Sequence, residues 1–211
     1  MNNIKIVSFC DTSGNRNKSF FLCKERLELL GWNTELIEGY RFHELVEENP
    51  KYRKNYLVFD NAKDKVLPAL EKSDKGIMFC EDDVIPRSIF TPEFVESKIK
   101  EYDGENNVLW FGFQRLVKNK TCRSGYWYVG SHMIWIPRSL HSLVKNVMEK
   151  SRKQHYDGFL SKNKEIPIKV VDVELQMTKP YAENRYVNEL EGNSITIGYR
   201  KGLSISDVNK Y

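Results

Sequence analysis

The sequence predicts a single α/β domain with a mostly parallel central sheet flanked by helices. Three observations carry this. The chain opens on a strand, a polar loop, a helix and a second strand, the usual start of a parallel sheet. Gly76-Ile77-Met78-Phe79-Cys80 is an apolar run without polar alternation, as in a strand covered on both faces. The 211 residues contain no internal repeat, low-complexity segment or linker, which fits one domain with a sizeable core.

Each element has a local reason. Residues 4–9 are an apolar strand and 10–17 a polar loop. A helix starts near Lys18 or Ser19, with Phe20, Cys23, Leu27 and Leu30 on one face. Gly31 stands where a helix C-cap belongs, and 34–37 reads as a second strand. A short helix around 43–48 is ended by Pro50. Asp60 can cap a helix running to Ala69 or Leu70, which leads into the strand at 76–80. Thr91 and Pro92 are a cap and first-turn proline for a helix over 92–102. Residues 108–113 are a strand, and 126–136 is strand-like and aromatic. Pro137 then opens an amphipathic helix burying Leu140, Leu143, Val144, Val147 and Met148. A last strand is expected at 166–173, before a polar, glycine-containing tail at 181–211.

Composition narrows the function classes. The hydrophobic share is 40% and the charged share 29%, a soluble globular balance. No stretch approaches the roughly 20 apolar residues a membrane span needs, and residues 1–9 lack the pattern of a secretory signal. The reading is a cytoplasmic protein and a monomer. The net charge of +4 suits attraction of a phosphate-bearing small molecule rather than nucleic acid. Cys10, Cys23, Cys80 and Cys122 form no Cys-x-x-Cys pair, so they read as free buried thiols rather than zinc ligands.

The chemistry concentrates in Glu81-Asp82-Asp83. Three consecutive carboxylates repel one another and are costly to desolvate, yet they directly follow a core strand. In open α/β sheets, ligands bind at the carboxyl ends of strands. Mg²⁺ or Mn²⁺ would relieve the repulsion through hard oxygen ligands, with water and substrate phosphates completing the shell. Glu81 and Asp83, at alternate positions of an extended chain, would share a side, with Asp82 facing elsewhere. An acidic turn is the competing reading. The apolar strand before the triplet favours a site.

The run Gly76-Ile77-Met78-Phe79-Cys80-Glu81-Asp82-Asp83-Val84 resembles the apolar-Glu-Asp-Asp-Val signature of GT-A-fold (Rossmann-related) glycosyltransferases. It is most similar to the family of lipopolysaccharide-modifying and collagen-modifying enzymes. Val129-Gly130-Ser131-His132-Met133-Ile134-Trp135-Ile136-Pro137-Arg138-Ser139-Leu140 resembles that family's strand-to-helix segment. Tyr156-Asp157-Gly158-Phe159 falls where the family carries an acidic residue near the acceptor. The chain also resembles the glycosyltransferase domains that chloroviruses, large DNA viruses of green algae, carry at the N-terminus of multidomain proteins. It departs from the bacterial family where Asp60-Asn61-Ala62 replaces a Ser-His segment, and in offering Arg16 alone where a double arginine is usual.

The resemblance implies a transferase of one GT-A-like domain over 1–211, with a nucleotide-binding half at about 1–85 and an acceptor half at about 86–211. It would use Mn²⁺ or Mg²⁺ and move a hexose or 6-deoxyhexose from a UDP-sugar to a glycan or glycoprotein acceptor, in viral capsid-protein glycan synthesis. Asp83 becomes the metal ligand, Glu81 its helper and Asp82 a supporting nucleotide contact. Phe9, Cys10, Asp11, Thr12, Ser13 and Arg16 become the loop that meets base, ribose and diphosphate, although Asp-Thr-Ser-Gly would equally build a plain turn. Asp157 would take the acceptor hydroxyl proton if the transfer inverts, or else be a turn residue before Gly158. Trp127 and His155 would touch the acceptor; the competing reading makes Trp127 a core indole with a paired N–H, and His155 a structural or solvent-facing group. Trp110 and Trp135 are expected in the core. Two other functions remain open on the residues alone: a magnesium-dependent nucleotidyltransferase or phosphotransferase, and a non-catalytic carbohydrate-binding module.

Overall fold

The computed structural model describes residues 3–8, 14–53, 56–82, 84–86, 88–112, 115–171 and 196–198. Strand β1 (Asn3–Ser8) leads to helix α1 (Gly14–Leu29), then β2 (Asn33–Glu38) and α2 (Phe42–Glu48). Helix α3 (Leu57–Asn61) passes through a π-helical turn (Ala62–Val66) into α4 (Leu67–Glu71). Next come β3 (Gly76–Glu81), β4 (Val84–Pro86), α5 (Pro92–Glu101), β5 (Val108–Gly112), β6 (Arg115–Lys118), β7 (Tyr126–Val129) and β8 (Met133–Pro137). A 3-10 turn (Arg138–Leu140) precedes α6 (His141–Lys150), α7 (Tyr156–Lys162), β9 (Ile168–Val170) and β10 (Thr196–Gly198).

The central sheet has the order β2-β1-β3-β8-β5-β9. Strand β1 is parallel to β2 and β3, β5 is parallel to β9, and β8 runs antiparallel between β3 and β5. Five strands therefore share one direction, which is the predicted mostly parallel sheet. Side chains alternate between two cores. Val7, Ile77, Phe79, Trp110, Ile134 and Ile136 face α3, α4, α6 and α7. Ile4, Ile6, Met78, Cys80, Leu109 and Met133 face α1 and α5 through Cys23, Leu27 and Val95. Period-two alternation with helices on both sides explains why β3 is apolar at every central position.

Several local expectations appear in the structure. Gly31 has φ 91°, and the N–H groups of Gly31 and Trp32 donate to the carbonyls of Glu28 and Leu27, the paired bonds that close an α-helix on a left-handed residue. Thr91 Oγ1 accepts from the Phe94 N–H at 3.2 Å, capping α5. Trp110 and Trp135 are buried, with indole N–H groups donating to the carbonyls of Gly112 and Gly104. Cys23, Cys80 and Cys122 are free and buried. Among the described residues, no helix is long and apolar enough to cross a membrane.

Other expectations are corrected. Helix α1 begins at Gly14, not near Lys18; Gly14, Asn15 and Asn17 are poor helix formers, and local propensity is only a weak guide to a helix start. Asp60 does not cap a helix; it lies inside α3, buried, accepting from Tyr52 Oη at 2.7 Å and Lys153 Nζ at 2.8 Å. The stretch 126–136 is two strands. Strand β7 pairs with β6 in a separate hairpin and β8 enters the main sheet, so 130–132 is a connector between sheets. Pro137 ends β8, and α6 starts at His141. The last strand is confined to Ile168–Val170 within the described part of 166–173, while the tail at 181–211 lies outside the described residues except for 196–198.

Candidate active site

The sheet order places β1 between β2 and β3, so the chain leaves the carboxyl end of β1 on one side and returns through β3 on the other. A crevice opens at such a switch point. Val7 pairs with Glu81 in the register of β1 and β3, which puts Glu81 at the carboxyl edge beside the end of β1. Its backbone N–H donates to the His132 carbonyl at 3.2 Å, extending the β3–β8 ladder to this residue. Its carboxylate oxygen Oε1 accepts from the Ser131 hydroxyl at 2.8 Å. Glu81 is half-buried, whereas Asp82 is fully enclosed at 0% exposure. Asp83 lies outside the described residues, as do Phe9, Cys10, Asp11, Thr12 and Ser13. Arg16 falls in the first turn of α1, directly after that loop.

Beneath Glu81, the Cys80 and Cys23 sulfurs lie 3.9 Å apart, and Cys23 Sγ is 3.8 Å from the Glu81 carbonyl oxygen. Burial, and then the neighbouring Cys23 thiol, push the Cys80 thiol well above its ordinary range. The two sulfurs pack directly under the acidic edge.

A second cluster forms where α7 packs against β7. Asp157 is 9% exposed and lies in the first turn of α7, so it is not a surface turn residue. Its Oδ2 accepts from the Gly130 N–H at 2.7 Å, and its Oδ1 from the Gly158 N–H at 2.6 Å. Trp127 stands edge-on to the His155 ring at 6.0 Å between centroids, and Lys162 Nζ lies 5.8 Å from the indole centroid. A Cβ at Gly158 would come within 3.7 Å of the Trp127 ring, so α7 and the indole are closely packed. The Trp127 Nε1–H is buried without a protein partner, which departs from the paired N–H of a core indole. His155 is exposed, directly before α7. The structure thus brings Trp127, His155 and Asp157 together and ties Asp157 to the connector that also holds Glu81.

Two residues here were not singled out from sequence. Ser131 is 3% exposed and bonds the Glu81 carboxylate. Its position in the Gly130-Ser131-His132 segment was the available signal. Asn61 is 1% exposed; its Oδ1 accepts from the Tyr40 N–H at 2.8 Å, and its Nδ2 is buried without a protein partner. It is the last residue of α3 before the π turn, a distortion frequent at functional sites. Burial of Tyr52 and its bond to Asp60 push the Tyr52 phenol upward. Among the described residues, no group of three His, Cys, Asp or Glu side chains could hold a metal ion.

No family model matches the chain, and no curated protein matches it by sequence. Among solved structures it is similar to the crystal structure of a glycosyltransferase involved in the glycosylation of the major capsid of PBCV-1. The TM-score is 0.55 and the identity 13%, over 100% of this chain and 99% of that one. The two share a fold along their whole length.

Proposed function

We propose that this chain is a glycosyltransferase that moves a hexose or 6-deoxyhexose from a UDP-sugar to a glycan or glycoprotein acceptor. The observation that carries the reading is Glu81, the first residue of Glu81-Asp82-Asp83, at the carboxyl edge of β3 on the switch point of the sheet. The full-length likeness to a capsid glycosyltransferase supports the same reading, and makes viral capsid glycans the acceptor class to test first. The motif likeness to lipopolysaccharide-modifying and collagen-modifying transferases, and to chlorovirus multidomain proteins, points the same way.

The donor chemistry at this edge fits Mn²⁺ or Mg²⁺: Glu81 offers hard carboxylate oxygens and is half-buried rather than sealed. Asp83 and Glu81 would hold the ion, and two protein carboxylates suffice because phosphates and water complete such a shell. Bound there, the metal would supply Lewis-acid stabilisation to the departing diphosphate. The loop at 9–13 would receive base and ribose, and Arg16, in the first turn of α1, is the proposed diphosphate contact. Asp82 would be the supporting nucleotide contact.

At the acceptor end, Trp127 offers an aromatic face for a sugar ring and an unpaired N–H for a sugar hydroxyl. His155 flanks it. Asp157 takes the acceptor proton in an inverting transfer; each of its oxygens retains a second lone pair beyond the bonds to Gly130 and Gly158. The working protein is cytoplasmic, in the host cytoplasm if viral, a monomer and part of a longer multidomain chain.

Calorimetric titration with UDP, with and without Mn²⁺, tests the reading. UDP binding that depends on Mn²⁺ is the expected result. No binding of UDP under either condition rejects it.

A further inference from the structure

We propose that Ser131 is a positioning residue for Glu81, setting the carboxylate before metal or nucleotide arrives; this rests on the transferase reading above. The Ser131 hydroxyl donates to Glu81 Oε1 at 2.8 Å, across 50 positions of sequence, from a residue that is 3% exposed. A hydroxyl has one proton to give and an ionised carboxylate can only accept. The bond therefore orients one oxygen of the Glu81 carboxylate from a fixed donor.

What makes Ser131 a fixed point is the connector that carries it. The Gly130 N–H is held by Asp157 Oδ2 at 2.7 Å. The His132 N–H donates to the Gly112 carbonyl at 3.0 Å, and the His132 carbonyl accepts from the Glu81 N–H at 3.2 Å. Gly130 has φ 93°, a left-handed conformation that other residues adopt at a cost. The backbone is thus anchored immediately before and after Ser131, to β5, β3 and α7. A glutamate has freedom about several bonds, and ordering it at the moment of binding weakens the ligand. Done beforehand, the ordering no longer weakens the ligand. The same connector ends on Asp157, so one three-residue segment aligns the donor edge with the acceptor cluster.

Removing an outer partner of a metal-binding carboxylate typically lowers affinity 10–100-fold. Ser131→Ala is expected to weaken Mn²⁺-dependent UDP binding by about tenfold or more, while the far-ultraviolet circular dichroism of the metal-free protein stays that of the parent. Ser131→Thr keeps the hydroxyl and retains most of the affinity. In a Glu81→Gln background, Ser131→Ala adds no further loss, because the carboxylate it positions is gone. Parental affinity in Ser131→Ala overturns the inference, as does an equal loss in both backgrounds. Failure of the parent protein to bind UDP overturns the transferase reading and this inference with it; normal parent binding with an unaffected Ser131→Ala overturns this inference alone.

Discussion

Asp157 provides the sharpest test of how the acceptor cluster is held. Asp157→Ala removes the acceptor for the Gly130 and Gly158 N–H groups at a position only 9% exposed. The Gly130 bond is charge-assisted and spans 27 positions of sequence, so its loss costs about 1.5–3 kcal/mol. The Gly158 bond is made to the adjacent residue and contributes less, about 0.5–1.5 kcal/mol. Together the loss is roughly 2–4.5 kcal/mol, a large share of the ordinary stability of a domain. For a chain of this length that lowers the melting temperature by roughly 5–15 °C. Differential scanning calorimetry on the metal-free protein measures it without reference to activity. A fall below about 2 °C, the scale of an ordinary surface substitution, refutes the view that Asp157 anchors the connector. Asp157→Asn then isolates the chemistry: it keeps one carbonyl acceptor, and near-normal transfer to an authentic acceptor would remove the base assignment.

Asp83→Ala is expected to abolish the metal-dependent part of UDP binding and leave the far-ultraviolet circular dichroism unchanged; full turnover in that variant contradicts the role assigned to it. Gly76→Ala places a Cβ 2.5 Å from the Trp135 ring and 2.6 Å from the Ile136 carbonyl, so β3 and β8 must separate. A loss of about 1–3 kcal/mol in urea unfolding is expected, and a neutral result means the strands relax freely. Burial raises the phenols of Tyr156 and, with Asp60, of Tyr52 above the ordinary tyrosine value. Their neutral forms favour the folded state, so this stability is complete below pH about 10 and is lost as the pH climbs beyond it. Alkaline unfolding followed at 295 nm should move to higher pH in Tyr156→Phe; an unchanged midpoint rules out a contribution from that phenol.

Much of the fold was legible because its causes are local. The run 76–80 declares a strand covered on both faces, since any one-sided strand would alternate. Gly31 and the Thr91-Pro92 pair mark a helix end and a helix start through bonds made within a few residues. The motif Glu81-Asp82-Asp83 follows from the same logic, because a strand's end is where its periodicity stops. The start of α1, the π turn after Asn61 and the burial of Asp60 were not legible. Each depends on what packs against it: Asp60, for instance, is satisfied by Lys153, 93 positions away.

By itself, then, the sequence determined that the fold is α/β, that β3 lies inside it, and that carboxylates gather at the end of that strand. Only the tertiary structure decided that 126–136 breaks into two strands of different sheets, that Ser131 reaches back to Glu81, and that Asp157 faces the connector rather than solvent. Periodicity and capping report on bonds between near neighbours along the chain. The connector owes its shape to hydrogen bonds closed across 27 and 50 positions, and those pairings exist only once the sheet has brought their ends together.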